Sequence, residues 1–397
     1  MTAGAAVKAR VHARLLADGP GGRLPDRVAE LVAGETPLSS PGDQARLARE
    51  VLAEVCGLGP LEPILADPEV TELMVNGPGQ VWVERAGRLE RVPIALDTPA
   101  IEHLIEKVVA PLGLRVDRSS PLVDARLPDG SRVNAIVPPL AIDGPCLTVR
   151  RFGARAIPLA AFGPPSVVAL LAWAVTARLN VLVSGGTGAG KTTLLNALAG
   201  CIPSGERVVT VEDAAELRLP GEHVVRLEAR PANAEGAGEV RIRELVRNAL
   251  RMRPDRILVG EVRGPEALDM LQAMNSGHEG SLSTCHANSP DDALRRLETM
   301  VLMGDVGLPL AAVRAQVEAA LDLVVQVARR PDGSRRVVAV AEVVDHPGWA
   351  QAAAGAGEPA RTRLVAGPDA VTALPTRPAR VEGGAAPDPA WVDGSRS

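Results

Sequence analysis

Apolar positions recur along this chain with two periods, and the change from one to the other divides it. Leu47, Val51 and Val55 stand four apart behind Pro41-Gly42-Asp43, which predicts a helix starting near Pro41. Upstream, helix-forming stretches alternate with breaks such as Gly19-Pro20-Gly21-Gly22, so residues 1–44 read as a helical extension. From Glu72 the spacing shortens. Glu72-Leu73-Met74-Val75-Asn76-Gly77 predicts a short strand ending in an Asn-Gly turn, and 81–84 with 89–92 predict a hairpin about Arg85-Ala86-Gly87-Arg88. A helix follows from Thr98 to about Leu112. Residues 124–127 and 132–137 predict strands joined by the turn Pro128-Asp129-Gly130-Ser131, and Leu147-Thr148-Val149-Arg150-Arg151 closes the set. Hairpins with one or two helices make an α+β domain over 45–155.

A linker is expected at 156–165, marked by Pro158, Pro164 and Pro165. Beyond it, apolar runs of strand length alternate with helical spacing. The runs are Asn180-Val181-Leu182-Val183-Ser184, Val208-Val209-Thr210-Val211-Glu212, Ile257-Leu258-Val259-Gly260-Glu261 and Ser281-Leu282-Ser283-Thr284. The helices are expected at about 241–252, 264–276, 291–303 and 309–320. This alternation is the mark of a mainly parallel sheet, so 166–345 reads as a second domain and the whole as an α/β chain of two domains. A last hairpin, 323–328 with 336–344, turns at Pro331-Asp332-Gly333. From His346 onward Ala, Gly and Pro dominate with little periodicity. Residues 346–397 are expected to be a disordered tail whose removal leaves activity intact.

Composition narrows the classes. The formal net charge of the 397 residues is −5, so no global basic field points to nucleic acid as a direct partner. Aromatic content is 2% with no Tyr, so the cores must be built from Val, Leu, Ile and Ala, and base-stacking platforms are not a design theme. Cys56, Cys146, Cys201 and Cys285 lie far apart with no C-x-x-C, which argues against a zinc site or a disulfide framework. No run of about 18 apolar residues occurs, and Arg10, His12 and Arg14 interrupt any signal-peptide layout. A cytosolic chain is expected.

One stretch carries specific chemistry. Gly185-Gly186-Thr187-Gly188-Ala189-Gly190-Lys191-Thr192 fits G-x-x-x-x-G-K-[ST], between an apolar strand and a helix that opens on the Thr192–Thr193 hydroxyl pair and closes on Gly200. Glycines let successive N–H groups converge on phosphate oxygens. Lys191 brings charge to the β- and γ-phosphates, and the Thr192 hydroxyl can ligate Mg²⁺. Nucleoside triphosphate binding is implied. Glu261 ends an apolar strand at the edge that faces the crevice of a parallel sheet, where it could orient or deprotonate water or hold it beside the metal. Glu212-Asp213 ends another strand in the same way, suggesting one acid near the metal and one near the water; their order stays open. His278 and His286 flank the next strand and are either structural or able to sense the γ-phosphate. Arg243, Arg247 and Arg251 share a helix face, either solvated or set at a subunit interface near phosphate. Arg126, Arg132, Arg150 and Arg151 are candidates to close over the nucleotide.

On these residues the chain resembles the secretion-superfamily ATPases, most closely the CpaF/TadA branch that drives Tad (Flp-type) pilus assembly. In the first domain the resemblance rests on Gly57-Leu58-Gly59-Pro60-Leu61-Glu62-Pro63, on Met74-Val75-Asn76-Gly77 and on the string from Ser119 to Asn134. In the second it rests on four boxes in order: the Walker A at 185–192, the Asp box at 209–213, the Walker B at 257–261 behind Arg251-Met252-Arg253-Pro254-Asp255-Arg256, and the His box at 277–288. The resemblance implies a RecA-like P-loop domain using ATP and Mg²⁺. It further implies a homohexameric motor, peripheral at the cytoplasmic face of the inner membrane, that acts on a membrane platform protein and through it on a pilin or secreted substrate. Carried over, Lys191 and Thr192 bind phosphate and Mg²⁺, Glu261 is the catalytic carboxylate, Glu212 supports metal or water, His278 and His286 form the His box, and Arg126 and Arg132 reach the nucleotide. Residues before 45 and after His346 have no counterpart in the pattern, and the four-cysteine zinc module of type II secretion ATPases is absent. The type IV secretion ATPases share Gly277-His278 and Thr284-Cys285-His286-Ala287-Asn288 and are the nearest rival. A nucleotide-binding scaffold that hydrolyses little is a second alternative, disfavoured by the presence of both carboxylates. A nucleic-acid translocase is a third, opposed by the acidic balance.

Overall fold

Three short amphipathic helices open the chain: α1 (Ala3–Ala17), α2 (Leu24–Glu35) and α3 (Pro41–Cys56). Ser40 starts α3 by accepting the Asp43 N–H at 3.1 Å, with Pro41 in the first turn where its missing donor costs nothing. Val11, Val28, Val32, Ala48 and Val51 form a small core among the three. The expected boundary at 44–45 therefore cuts a helix whose buried side belongs with the residues before it. The computed structural model describes residues 3–17, 23–85, 87–127, 129–151, 157–230, 237–304, 307–344, 361–381 and 384–392. They divide into two units, Met1–Ala154 and Arg155–Ser397.

The first unit continues through α4 (Glu62–Leu65), β1 (Val70–Asn76), β2 (Val81–Arg85), β3 (Arg88–Val92), α5 (Thr98–Val109), β4 (Leu122–Arg126), β5 (Arg132–Ile136) and β6 (Cys146–Arg150). The strands form one sheet in the order β3-β2-β1-β6-β5-β4, antiparallel throughout. Alternation sets its inner face: Leu73, Val75, Val81, Val83, Val133, Ala135, Leu147 and Val149 share a core with Ile101, Leu104, Ile105 and Val108 of α5. Asp97 caps α5 by accepting the Ala100 N–H at 2.9 Å. A 12-residue helix is marginal alone, and burying each large side chain adds about 1.5–3 kcal/mol. Packing, more than propensity, holds it.

The second unit runs through α6 (Pro165–Thr176), β7 (Val181–Gly185), α7 (Lys191–Ala199), β8 (Val208–Glu212), β9 (Val224–Glu228), α8 (Ile242–Ala249) and β10 (Arg256–Val259). It continues with α9 (Glu266–Met274), β11 (Leu282–His286), α10 (Pro290–Leu302), α11 (Leu310–Ala320), β12 (Leu323–Arg329), β13 (Arg335–Val343) and β14 (Thr362–Ala366). Its sheet has the order β14-β13-β12-β7-β11-β10-β8-β9. The run from β12 to β9 is parallel, and β13 and β14 add an antiparallel edge. Both faces are covered by apolar clusters, and β7 and β8 are buried at every position, as a sheet between helices requires. Among the described residues no helix is long and apolar enough to cross a membrane.

The expected linker, 156–165, follows the division between the units at 154–155, and where described it is folded: Leu159–Phe162 forms a 3-10 turn, Phe162 is 1% exposed in the second unit's core, and α6 begins at Pro165; residue 156 lies outside the described residues. The tail needs correction: it is not disordered where it is described, although 346–360, 382–383 and 393–397 lie outside the described residues. β14 pairs with β13, and Trp391 tilts against Trp173 with ring centroids 6.2 Å apart. The physical reason is electrostatic. Asp322 is 1% exposed and Glu342 fully buried, and both take donors from this segment. Arg380 Nε lies 2.8 Å and Arg377 Nη1 3.4 Å from Asp322, while Arg363 and the N–H groups of Thr376 and Arg377 reach Glu342. Without the tail, two buried carboxylates would lose most of their partners.

Candidate nucleotide-binding site

The loop between β7 and α7 is shaped by close approach. A Cβ on Gly185 would stand 2.4 Å from the Val327 carbonyl oxygen of β12, so only glycine lets the strands meet there. Gly188 and Gly190 take φ of +69° and +97°, the left-handed region. Gly190 is the N-cap of α7 and offers no side chain to its first turn, which leaves those N–H groups and the positive end of the helix for an anion.

Three chain segments converge beside this loop. Parallel pairing sets His286, the last residue of β11, opposite Gly185, and Glu261 follows the end of the next strand, β10. Lys191, 8% exposed, donates to the Gly186 carbonyl at 3.2 Å. Its Nζ lies 3.2 Å from the His286 ring nitrogens and 3.6 Å from Glu261 Oε1. His286 Nε2 is 3.0 Å from the same Glu261 oxygen. Burial holds the Lys191 ammonium below its ordinary pKa, with Glu261 pulling the other way. Burial likewise lowers His286 below 6.5, against Glu261, so the imidazole is neutral at pH 7 and able to accept from Lys191.

Glu212 sits at the end of β8, 2% exposed, and burial raises its carboxyl pKa. Its Oε1 accepts the N–H groups of Glu216 and Leu217 at 2.8 and 3.0 Å, which fixes the following loop. Its Oε2 has no partner among the described residues, and its Cγ comes so close to Gly260 that a Cβ there would stand at 2.8 Å. The unpartnered, buried Glu212 Oε2 and the Thr192 hydroxyl in the first turn of α7 are oxygen donors of the kind magnesium takes, which would complete its shell with phosphate and water.

Other expected residues stand elsewhere. His278 precedes β11, whose first residue Leu282 pairs with Val181 at the start of β7, so His278 lies at the edge of the sheet opposite the loop. Adjacency in sequence does not say at which end of a strand a residue falls. Arg126, Arg132 and Arg150 belong to the first unit, directly opposite one another across β4, β5 and β6 and so on one face. Arg151 is tied to the Val70 carbonyl at 3.2 Å. Arg243 and Arg247 both bind Asp269 of α9, at 2.8 and 2.7 Å; Asp269 is 4% exposed, and α8 ends before Arg251.

Two arginines at the site were not anticipated. Arg263 donates to Glu261 Oε2 at 2.5 Å and lies 4.0 Å from Asp213. Its only sequence signal was its place two residues beyond the strand-end acid. Arg335 of β13 donates to Thr193 Oγ1 at 3.4 Å, and nothing local marks it.

The profile of the family described as "Type II/IV secretion system protein" matches residues 54–367, most of the chain. This chain belongs to that family. Among its relatives is a protein of Mycobacterium tuberculosis provisionally named for conjugal transfer, 44% identical over 78% of this chain and 92% of the relative. The type IV secretion system protein PtlH of Bordetella pertussis is 41% identical over 70% of this chain and 91% of its own length. The solved structure of the Legionella pneumophila ATPase DotB shares the fold of this family member, with a TM-score of 0.52, 20% identity and 81% of each chain covered.

Proposed function

We propose that this member of the type II/IV secretion family is an ATP-hydrolysing motor. The reading rests on one observation above the rest: at a loop built for phosphate, Lys191, His286 and Glu261 stand within 3.0–3.6 Å of one another. Nothing in a merely structural turn asks for a buried ammonium beside a carboxylate and a neutral imidazole. The glycine loop and the α7 N-terminus bind the phosphates, and Lys191 moves its charge from Glu261 and His286 to the β- and γ-oxygens. Glu261, released by Lys191, orients the attacking water and takes its proton. His286 reports the γ-phosphate by its contact with both. Thr192 and Glu212 would hold a magnesium ion, which would supply charge neutralisation at the phosphates.

The motor acts as a homohexamer at the cytoplasmic face of the membrane, against a membrane platform protein, in Tad (Flp-type) pilus assembly. Support for that branch is the first-unit string from Ser119 to Asn134 together with Met74-Val75-Asn76-Gly77. A second reading, type IV secretion or conjugal transfer, is favoured by the names of the relatives in Bordetella and Mycobacterium. Deleting the chain from its host separates the two: surface pili vanish in the first case, and transfer of a protein or DNA substrate in the second.

For the chemistry, Lys191→Ala is expected to lose tight ATP binding. Glu261→Gln is expected to bind ATP while turnover falls at least about a hundredfold. Equilibrium nucleotide titration and steady-state phosphate release check both. Turnover at the wild-type rate in Glu261→Gln would remove that carboxylate from the mechanism. A wild type that binds ATP but never hydrolyses it, even assembled, leaves the scaffold reading.

A further inference from the structure

The parallel sheet gives the phosphate loop two sides, and they differ in chemistry. β11 and β10, on one side of β7, end in His286 and lead into Glu261, the groups placed at the γ-phosphate above. On the other side β12 runs parallel to β7 and extends past it, with Gln326 opposite Ser184 and Val327 to Arg329 continuing beyond the last pair. It turns back through 330–334 into β13, so that Arg329 and Arg335 close the hairpin as cross-strand partners. This end of the hairpin lies on the loop. A Cβ on Gly190 would stand 2.4 Å from Arg335 Cδ and 3.2 Å from its Nε, and one on Gly188 4.0 Å from Arg329 Nη1. Arg335 Nη1 also donates to Thr193 Oγ1 at 3.4 Å.

A nucleotide whose γ-phosphate points toward Glu261 and His286 must point its nucleoside the other way, across α7's first turn toward β12 and β13. We infer that Arg335 is the nucleoside-side contact of this site, its guanidinium plane lying against the base of the bound nucleotide. The inference rests on the reading of the loop as an ATP site. Composition bears on it. A base is usually held by an aromatic ring, and the chain has no Tyr, two Phe and four Trp. Among the described residues of the second unit, Phe162 is 1% exposed in the core, and Trp173 and Trp391 pair with each other. Arginine also carries a planar face that stacks on a base. Its stem, resting on Gly190, and its bond to Thr193 hold that plane beside the loop before any nucleotide arrives, which reduces the ordering cost of binding.

The test compares two ligands on the full-length protein: ADP, which has a nucleoside, and inorganic tripolyphosphate, which has only the phosphate chain. Arg335→Ala is expected to weaken ADP about tenfold and leave tripolyphosphate unmoved. Arg335→Lys keeps the stem that covers Gly190, so it guards against a folding defect; lacking the plane, it too should lose most of the ADP affinity. Equal loss of both ligands would mean that Arg335 acts through phosphate or loop shape, and would overturn the assignment. Full ADP affinity in Arg335→Ala, or full recovery by Lys, would overturn it as well. In each of those cases wild-type binding of ADP leaves the ATP site standing. A wild type that binds neither ligand removes both.

Discussion

At the scale of single residues the site is organised by desolvation. Lys191 and His286 both have their protonated forms disfavoured by burial, and Glu261 shares its Oε1 between them. His286 carries a measurable consequence. Its folded pKa is below the 6.5 of the unfolded chain, so the unfolded state binds more protons as pH falls. The stability this group contributes is complete above pH 6.5 and is lost as pH drops through the window beneath it. Melting midpoints of the nucleotide-free protein should therefore fall between pH 7.5 and 5.5, and fall less in His286→Gln. Equal slopes in the two proteins would show that the imidazole is not held neutral. Residue identity at the loop was legible in sequence because the P-loop signature is local. Arg263 and Arg335 were not, since each acts through a neighbour brought by the sheet: Glu261 and Asp213 for the first, Gly190 and Thr193 for the second.

At the scale of elements, the chain's readable parts are those whose pattern is contained in one element. The hairpin β12–β13 lies within two residues of its expected bounds, because Pro331-Asp332-Gly333 punctuates two apolar runs. α6 gave no periodic signal: Val167, Leu170, Leu171, Trp173, Ala174 and Val175 are all buried, and a helix apolar on most sides shows no stripe. β14 failed to show for a different reason. Thr362-Arg363-Leu364-Val365-Ala366 is too short to stand out from an Ala/Gly/Pro-rich setting, and its order comes from the β13 edge and from Asp322 and Glu342 far upstream. Ending the chain at residue 345 is thus expected to harm it, contrary to what composition suggests. It strips Arg377 and Arg380 from Asp322, and Arg363 and the Thr376 and Arg377 N–H groups from Glu342. A buried charge left without its partner costs about 3–5 kcal/mol. For a unit of this size that lowers the melting midpoint by about 10 °C. Calorimetry of the truncated and full chains measures it, and identical midpoints would mean that the segment only decorates the sheet.

At the scale of the whole molecule, a motor needs hydrolysis in the second unit to be felt by the first. In the first unit Arg126, Arg132 and Arg150 stand directly opposite one another across β4, β5 and β6. We propose that Arg126 and Arg132 take part in nucleotide binding. Two measurements made together decide it. Turnover per chain, followed against protein concentration with light scattering alongside, should rise as the proposed hexamer forms. Arg132→Ala should assemble like the wild type yet turn over about tenfold more slowly, the loss of one charge-assisted contact to the nucleotide. Wild-type turnover in that variant would leave the first unit a passenger, and turnover independent of concentration would mean that each P-loop works alone.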